Sequence, residues 1–242
     1  MTVGAPDISV VIPAHNEADS LVKLLPEIGQ VLADQAFEIV VVDDGSTDRP
    51  AAVVERIAKN LPVRLASHPR SLGKSAALWT AVGIAAAETI VALDGDGQDD
   101  PAFISDLVSP LSDKNVGLVA GRRINRQDSF AKKVGSRLAN RVRQWLLSDD
   151  TPDTGCGAKA FRRSAFLRLP YFDTQHRFMS ALFIADGWRI AHVNVVNRAR
   201  RHGRSHYGIL DRLAVGIPDL FGVWWLTRRR AKSPFKQEDR SK

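Results

Sequence analysis

The chain has 242 residues, of which 44% are hydrophobic and 25% charged, and its formal net charge is +7 at pH 7. A chain this long and apolar can bury one substantial core, which excludes a largely disordered protein and suits a single α/β domain. The one cysteine, Cys156, excludes an internal disulfide, and the first ten residues lack the basic and apolar regions of a secretory signal, so we expect a cytoplasmic protein.

Strands and helices alternate in the first hundred residues. The predicted strands are ISVVIP (8–13), FEIVVVDD (37–44), a short strand at 63–66 and TIVALD (89–94), and the predicted helices cover about 17–33, 48–59 and the alanine-rich stretch after 76. Strands this uniformly apolar are buried on both faces, which indicates a parallel sheet with helices on each side. We therefore predict a doubly wound, mostly parallel α/β fold.

One stretch, 76–93, is also long enough to be considered as a short membrane span. Its composition is dominated by alanine and threonine, and Glu88 lies inside it. A buried charge of this kind is costly in a bilayer, so the sequence favours a helix followed by a strand.

Polar residues follow three of the predicted strands. Pro13, Ala14 and Glu17 come at the end of the first, Asp44 at the end of the second and Asp94 at the end of the fourth. Ligands of parallel α/β sheets bind at the carboxyl ends of the strands. The three segments therefore predict a single binding site.

The last of these segments, 94–100, holds four aspartates within seven positions. Like charges this close repel each other unless a cation neutralises them. Asp94 and Asp96 offer oxygen ligands on the same side of the chain, and such oxygens suit Mg²⁺ or Mn²⁺. We expect one of these ions to be held by Asp94, Asp96 and Gln98 against a diphosphate.

The remaining two aspartates, Asp99 and Asp100, precede Pro101 and are expected to cap the next helix. A calcium-binding EF-hand loop would need glycine at the position of Asp99, which excludes that interpretation.

A second motif imitates a phosphate-binding loop. The residues Gly73, Lys74 and Ser75 match the end of a P-loop, but the first glycine of that pattern would have to be His68. We therefore expect Lys74 to begin a helix near the site rather than to belong to a P-loop.

Beyond residue 101 the pattern is looser and more basic. We predict a strand at 117–123, a basic helix at 130–147, a turn at 153–157 and short mixed elements to about 196, with no linker that would divide residues 1–207 into two domains. Arginine and lysine are concentrated at 122–143, 198–204 and 228–232. Such clusters suit a nucleic acid, an anionic membrane surface or a phosphorylated substrate, and composition does not choose among them.

The segment 208–230 is predicted to be an amphipathic helix, followed by a polar tail at 231–242. Apolar residues at helical spacing and three closing arginines are typical of a helix at an anionic membrane surface. The same pattern suits a helix docked on the domain's own core, and both interpretations stay open. Pro218 would kink or divide this helix.

Three motifs, SVVIPAHNE, VVVDDGSTD and ALDGDGQDDP, resemble the successive strand-end motifs of family 2 glycosyltransferases with the GT-A fold. The later motifs AGRR, DTGCGAKAFRR and RRHGRSHYG resemble the dolichol-phosphate mannosyltransferase-like branch, which transfers a sugar from a nucleotide to a polyprenyl phosphate. The resemblance covers about residues 7–210. It implies a metal-dependent, inverting transferase that works as a peripheral protein at the inner face of the cell membrane.

The resemblance also implies roles for individual residues. Glu17 would lie near the ribose, Asp44 near the base, and Asp96 and Arg122 would act in catalysis, Arg122 by bridging the donor and acceptor phosphates. The nucleotide-binding set would be Pro13, Ala14, Glu17, Asp44 and Asp94, and the metal ligands Asp94, Asp96 and Gln98. The acceptor phosphate would be bound by Arg122, Arg137, Arg201, Ser205 and His206.

His206 stands where the branch usually has lysine. Histidine is cationic only below about neutral pH, so we expect activity to fall as the pH rises through its pKa if this side chain touches phosphate. A phosphate acceptor is already ionised and needs no general base, which leaves Asp153 in the turn open between direct participation and a positioning role.

Two other classes of function stay open. A sugar nucleotidyltransferase shares acidic metal sites but needs a glycine- and lysine-rich loop after the first strand. A catalytically disabled anion- or membrane-binding protein on the same scaffold would account for the arginines. We expect a nucleoside-diphosphate sugar, a polyprenyl phosphate and a membrane surface as partners and no nucleic acid, while the sugar, the base and the oligomeric state are undetermined.

Overall fold

The computed structural model describes residues 5–124, 141, 143–149, 151–198 and 209–229, the last range with side chains from 216 onward. The strands are β1 (Ile8–Ala14), β2 (Phe37–Asp43), β3 (Val63–Ser67), β4 (Thr89–Ala92), β5 (Val116–Arg123), β6 (Lys159–Arg162) and β7 (Arg189–Val195). The helices are α1 (Ala18–Val31), α2 (Pro50–Ile57), α3 (Lys74–Ile84), α4 (Ile104–Val108), α5 (Arg163–Leu167), α6 (Met179–Ala185) and α7 (Ile209–Arg229). Residues 143–147 are also helical.

The seven strands form one mixed sheet in the order β3-β2-β1-β4-β6-β5-β7. The first four strands in the sequence are parallel, and β6 is antiparallel to both of its neighbours. The edge strand β7 is again parallel to β5. The predicted mostly parallel α/β sheet is confirmed, and the looser sequence pattern after residue 101 corresponds to the half of the sheet that contains the reversed strand.

Side chains of the sheet point alternately into two cores. Along β1, Val10 and Ile12 pack in the core beneath α1, whereas Val11 packs in the core beneath α3 and α6. All three are completely buried. Burial on both faces explains why these strands read as continuous apolar runs, and it confirms helices on each side of the sheet.

The start of the second helix differs from the prediction for a local reason. The second helix begins at Pro50 rather than at 48, because the left-handed backbone of Arg49 precedes it and proline is favoured at a first helical position. Asp48 does not start this helix. Its Oδ2 accepts a hydrogen bond of 2.8 Å from the amide of Ala18 and so caps α1 instead.

The C-terminal helix α7 docks one side on the domain's own core and exposes the other, so the docked interpretation is confirmed and the membrane-surface interpretation stays a prediction. Val223 is 2% exposed and packs in the core beneath α6, whereas Ile217, Phe221 and Trp225 are more than half exposed. The helix continues through Pro218, so this proline does not divide it, and the other expected effect, a kink, stays a prediction. The domain boundary at 207/208 stays a prediction, and the tail at 231–242 lies outside the described residues.

In the described part of the chain, no helix is both long enough and apolar enough to cross a bilayer. The stretch 76–93 forms most of α3 and then β4, as expected from its composition.

Candidate functional site

The predicted donor residues meet at one end of the sheet. The strands β1, β2 and β4 are adjacent and parallel, so the segments that follow them lie side by side. They enclose a cavity of about 180 Å³, which we call the nucleotide cavity after the ligand predicted from the sequence. Its lining is Pro13, Ala14, His15, Glu17, Asp44, Lys74, Ala77, Asp94, Gly95 and Asp96. Six of the residues predicted from the sequence are among them.

Hydrogen bonds join the first two of these segments. The backbone N–H of Asn16 donates to Ser46 Oγ at 2.9 Å, and the backbone N–H of Thr47 donates to Asn16 Oδ1 at 2.8 Å. Asn16 adopts a left-handed backbone (φ 57°), which asparagine tolerates better than most residues. The loops after β1 and β2 therefore form one bonded wall of the cavity.

Asp44 lines this cavity, but its carboxylate is largely engaged by the protein. It accepts hydrogen bonds from His68 (2.7 Å), Ser71 Oγ (2.8 Å) and the amides of Leu72 (2.9 Å) and Gly73 (2.8 Å). Burial alone would raise the pKa of Asp44, but these donors lower it below its usual range. The carboxylate organises the loop before α3, and its contact with a base stays a prediction.

That loop places Lys74 in the first turn of α3, where its ammonium donates to Asp94 Oδ1. Burial would lower the pKa of Lys74, but the charge of Asp94 raises it. The reverse applies to Asp94, whose pKa burial would raise and Lys74 lowers. The segment that imitates a P-loop thus wraps a carboxylate, Asp44, and presents its lysine to a second one.

Glu17 completes a cluster of three carboxyl groups with Asp94 and Asp96. Burial, followed by the charges of Asp96 and Asp94, raises the pKa of Glu17 to about 8. Gly95 lies so close to Glu17 that a Cβ atom would collide with Oε2. With Lys74 as its paired cation, this cluster is short of positive charge.

Within the described ranges, no three histidine, cysteine, aspartate or glutamate side chains converge closely enough to hold a metal ion by themselves. An ion at Asp96 would therefore need further ligands from water and a diphosphate, which is how Mg²⁺ is usually bound. Gln98 is the third predicted ligand, and its backbone N–H donates a hydrogen bond of 3.0 Å to Asp96 Oδ1, which fixes the turn that carries Asp96.

The two remaining aspartates of this loop have different roles. Asp100 accepts a hydrogen bond of 3.0 Å from the amide of Ala102 and caps the 3₁₀ turn that begins at Pro101, as predicted. The expectation that Asp99 also caps is wrong, because its side chain turns inward. It is 2% exposed, and its Oδ2 accepts a hydrogen bond of 3.0 Å from the amide of Asp94.

Asp99 stabilises the loop of residues 94–100 from its buried side. Burial, followed by the charge of Asp94, raises the pKa of Asp99 to about 7. Gly157 packs against the same place, since a Cβ atom there would lie 2.5 Å from both Asp94 Cγ and Asp99 Oδ2. Glycine at this position therefore allows β6 and its preceding turn to approach the loop.

Arg198 ties a distant segment to the same loop and was not singled out from the sequence. Its amide donates to the Gln98 carbonyl at 2.9 Å, and its guanidinium pairs with Asp100 (2.8 Å) and Glu27. Asn197 also bridges to Asp99. Because these partners lie about 100 and 170 positions away in the chain, only the three-dimensional structure relates them.

A larger cavity of about 510 Å³ adjoins the nucleotide cavity, and Pro13, Lys74 and Asp94 line both. We call it the second cavity. Its other walls come from the turn before β6 and from the segment before α6. Their polar members are Thr154, Lys159, Asp173, Thr174, His176 and Arg177.

The turn at 153–157 is fixed by an ion pair. Arg123 donates from Nε (2.6 Å) and Nη2 (2.7 Å) to the two carboxylate oxygens of Asp153. This bidentate pairing assigns Asp153 a turn-stabilising contact. Arg122, the neighbouring residue at the end of β5, is exposed. The predicted acceptor residues Arg137, Arg201, Ser205 and His206 lie outside the described residues.

A mostly parallel sheet with a cavity and paired aspartates at the strand ends is the architecture of GT-A glycosyltransferases. The family "Glycosyl transferase family 2" matches residues 9–169, and the chain belongs to this family of enzymes. The chain is 31% identical over 233 residues to dodecaprenyl-phosphate galacturonate synthase of Rhizobium johnstonii, covering 93% of this chain and 69% of that protein.

A second relative is undecaprenyl-phosphate 4-deoxy-4-formamido-L-arabinose transferase of Edwardsiella ictaluri, 31% identical over 232 residues, or 94% of this chain and 71% of the relative. Among solved structures, glucosyl-3-phosphoglycerate synthase of Mycobacterium tuberculosis with phosphoglyceric acid superimposes with a TM-score of 0.69 and 22% identity, covering 96% of this chain and 86% of that one. The same synthase with Mn²⁺, UDP-glucose and glycerol 3-phosphate gives 0.68 and 23%, covering 94% and 82%. These structures support the fold.

Proposed function

We propose that the chain transfers a sugar from a nucleoside-diphosphate sugar to a polyprenyl phosphate. The observation that carries this proposal is the meeting of the two cavities at Asp94, which provides adjoining spaces for a nucleotide and for the sugar attached to it. The named substrates of the two relatives, dodecaprenyl and undecaprenyl phosphate, support the acceptor class.

Asp94, Asp96 and Gln98 would hold Mg²⁺ or Mn²⁺ against the donor diphosphate. Burial is the main cause of the raised pKa of Glu17, and the next causes, the charges of Asp96 and Asp94, support this fit because a cation beside Asp96 would offset them. When bound, a divalent ion would stabilise the charge that develops on the leaving nucleoside diphosphate. Mn²⁺ accompanies UDP-glucose in the structurally similar synthase, which is consistent with a divalent ion here.

The protein's own residues would position a direct displacement. A phosphate oxygen of the acceptor forms a bond to the anomeric carbon while the bond from that carbon to the diphosphate oxygen breaks, which inverts the configuration. The acceptor phosphate is ionised near neutral pH, so no side chain needs to remove a proton. Arg122, with Arg137, Arg201, Ser205 and His206, would hold this phosphate, and Lys74 would hold Asp94 in place.

The exposed stripe on α7 would place the enzyme on a membrane surface, at the inner face where the resemblance locates this branch. Ile217, Phe221 and Trp225 recur every four residues and are 53%, 58% and 54% exposed. The guanidinium groups of Arg228 and Arg229 lie 4.6 and 5.5 Å from the ring centres of Trp224 and Trp225. Apolar groups beside arginine suit an anionic interface.

Sugar transfer to undecaprenyl phosphate in detergent tests the reaction. Purified protein is incubated with UDP- and GDP-sugars and Mg²⁺ or Mn²⁺, and the lipid product is measured. Asp96→Asn should lower product formation by about a hundredfold or more, as expected for loss of a group that stabilises developing charge. Asp34→Asn, an exposed aspartate between α1 and β2, is the matched control.

Two results would oppose the proposal. A protein that binds no sugar nucleotide in the presence of metal would be the disabled scaffold that the sequence left open. Pyrophosphate release from a nucleoside triphosphate and a sugar phosphate would indicate a nucleotidyltransferase.

For the membrane contact, the Phe221→Ser/Trp225→Ser variant should lose binding to anionic vesicles while keeping detergent activity. Unchanged vesicle binding would rule out the stripe.

A further inference from the structure

The two cavities that meet at Asp94 differ in charge. The second cavity is lined by Lys74, Lys159 and Arg177, against the carboxylates of Asp94 and Asp173. Lys74 is already paired with Asp94. Two cations of the lining, Lys159 and Arg177, remain. The one other carboxylate of the lining, Asp173, is exposed, so the cavity keeps an excess of positive charge.

Lys159 is the least expected of these cations, because it is only 6% exposed. Its ammonium donates to the Cys156 carbonyl, and within the described residues it forms no ion pair. An ammonium has three donors, and buried charges are normally paired. Burial, with Lys74 acting in the same direction, lowers the pKa of Lys159, so an anion placed beside it would offset an existing cost.

His176 adds a polar group without adding charge. Burial, followed by the charges of Lys74 and Lys159, lowers its pKa to about 3. Its ring Nδ1 lies 2.8 Å from Ser75 Oγ, which also accepts a hydrogen bond from the His176 amide. The serine proton is therefore available to Nδ1, which assigns the ring proton to Nε2 and leaves it as a neutral donor.

The position of this cavity decides which substrate would meet the cations. A nucleotide in the neighbouring cavity carries its sugar past Asp94, which lines both spaces. The acceptor phosphate is attached to a membrane lipid, and Arg122, the described member of its predicted binding set, does not line the second cavity. The donor sugar is thus the group that the geometry brings to Lys159.

We propose that the donor sugar carries a carboxylate, as in a uronic acid, and that Lys159 and Arg177 bind it in the second cavity. This inference rests on the proposed function. Lys159 would act as a specificity-determining residue, since a hydroxymethyl group in place of the carboxylate would leave its ammonium without an anion.

Matched donor pairs test this directly. UDP-glucuronate and UDP-glucose differ only in a carboxylate against a hydroxymethyl group, as do UDP-galacturonate and UDP-galactose. We expect at least one uronate to bind about tenfold or more tightly than its neutral counterpart, measured by calorimetry with Mn²⁺, and to give the higher kcat/KM in lipid transfer. UDP alone serves as the reference ligand.

The variant Lys159→Met should lower uronate affinity about tenfold to a hundredfold and leave UDP and neutral-sugar affinities within about threefold. Unchanged UDP binding also shows that the variant is folded. Lys159→Arg should recover part of the uronate preference. The control is Lys59→Met, which removes an exposed lysine between α2 and β3.

The outcomes separate the inference from the proposed function. Transfer of neutral sugars in preference to uronates would overturn the inference and keep the function, and Lys159 would then balance Asp94 and Asp99. A raised acceptor KM in Lys159→Met with unchanged donor choice would assign the cation to the lipid phosphate instead, which also overturns it. Uronate-selective binding without lipid transfer would support the inference and contradict the proposed acceptor. Absence of sugar-nucleotide binding would overturn both.

Discussion

The nucleotide cavity and the second cavity share Asp94 and Lys74 but are otherwise opposite in charge. Around the first, Glu17, Asp44 and Asp96 join Asp94. Around the second, the additional charged groups are mostly cationic. One ion pair between lysine and aspartate thus separates an acidic space from a basic one. The difference indicates that a ligand which spans both should bring a cation to one side and an anion to the other.

The largest expected effect comes from removing the carboxylate of Asp44, which organises the loop before Lys74. Each carboxylate oxygen of Asp44 accepts from two donors, and Asp44→Asn replaces one of these oxygens with an NH2 donor, so we expect a loss of about 3 kcal/mol in the free energy of unfolding. Urea denaturation measures it, with Asp34→Asn as the control. Wild-type stability would show that the loop before α3 does not depend on this carboxylate.

A smaller effect is expected at Gly157, which packs against Asp94, the residue that lines both cavities. Gly157→Ala would place a methyl group 2.5 Å from Asp94 and Asp99, so the loop must move, at a cost of about 2 kcal/mol and with a loss of sugar-nucleotide affinity. Gly83→Ala is the matched control, because its Cβ would meet open space inside α3 and should stabilise the helix slightly. Equal stability and equal sugar-nucleotide affinity of the two variants would contradict the close packing of Gly157 against Asp94 and Asp99.

Arg198 tests whether the acidic cavity depends on the segment tied to it. Arg198→Met removes two partly exposed ion pairs, so the expected loss of stability is only about 1 kcal/mol. Metal-dependent nucleotide binding should weaken more than stability does, because Asp100 and Gln98 belong to the loop that carries Asp96. Arg189→Met, which breaks an exposed pair with Asp113, should change neither quantity.

The last expected effect concerns the pH dependence of stability and the neutral histidine of the second cavity. The pKa of His176 falls from 6.5 to about 3 on folding, so between these values the unfolded chain binds a proton that the folded chain does not. Stability should therefore decline as the pH is lowered through this window. His176→Gln should flatten the decline, measured by thermal unfolding from pH 7 to pH 4. Glu17 and Asp99, whose pKa values are raised, act in the opposite direction in both proteins.

The sequence predicted the donor side of the site better than the second cavity, for a physical reason. Asp44, Asp94 and Asp96 follow apolar strands directly, so the parallel sheet alone brings them together. Lys159 and His176 belong to segments whose pairing depends on the antiparallel strand β6 and on contacts across about a hundred positions. No local pattern marks such residues.

Asp99 shows the limit of local reasoning in a different way. Its position before Pro101 matches a helix cap, and its neighbour Asp100 does cap. The inward turn of Asp99 follows from the approach of Gly157 and from the amide of Asp94, neither of which the surrounding sequence indicates. Composition gave the basic segments, but it did not separate Arg198, which stabilises the loop, from residues that would bind an anion.

The packing of α7 on the domain would determine the distance between the reactive centre and a membrane that the exposed side of the helix contacts. Val223 fixes the inner side of the helix to the α/β domain, and Thr174 Oγ1, beside the second cavity, donates to Asp219 of the same helix at 2.7 Å. If the outer side rests on a bilayer, the height of the reactive centre above the lipid plane is set by the protein. The lipid phosphate must then rise to a constant level, so transfer should depend on the first isoprene units and little on the total length of the chain.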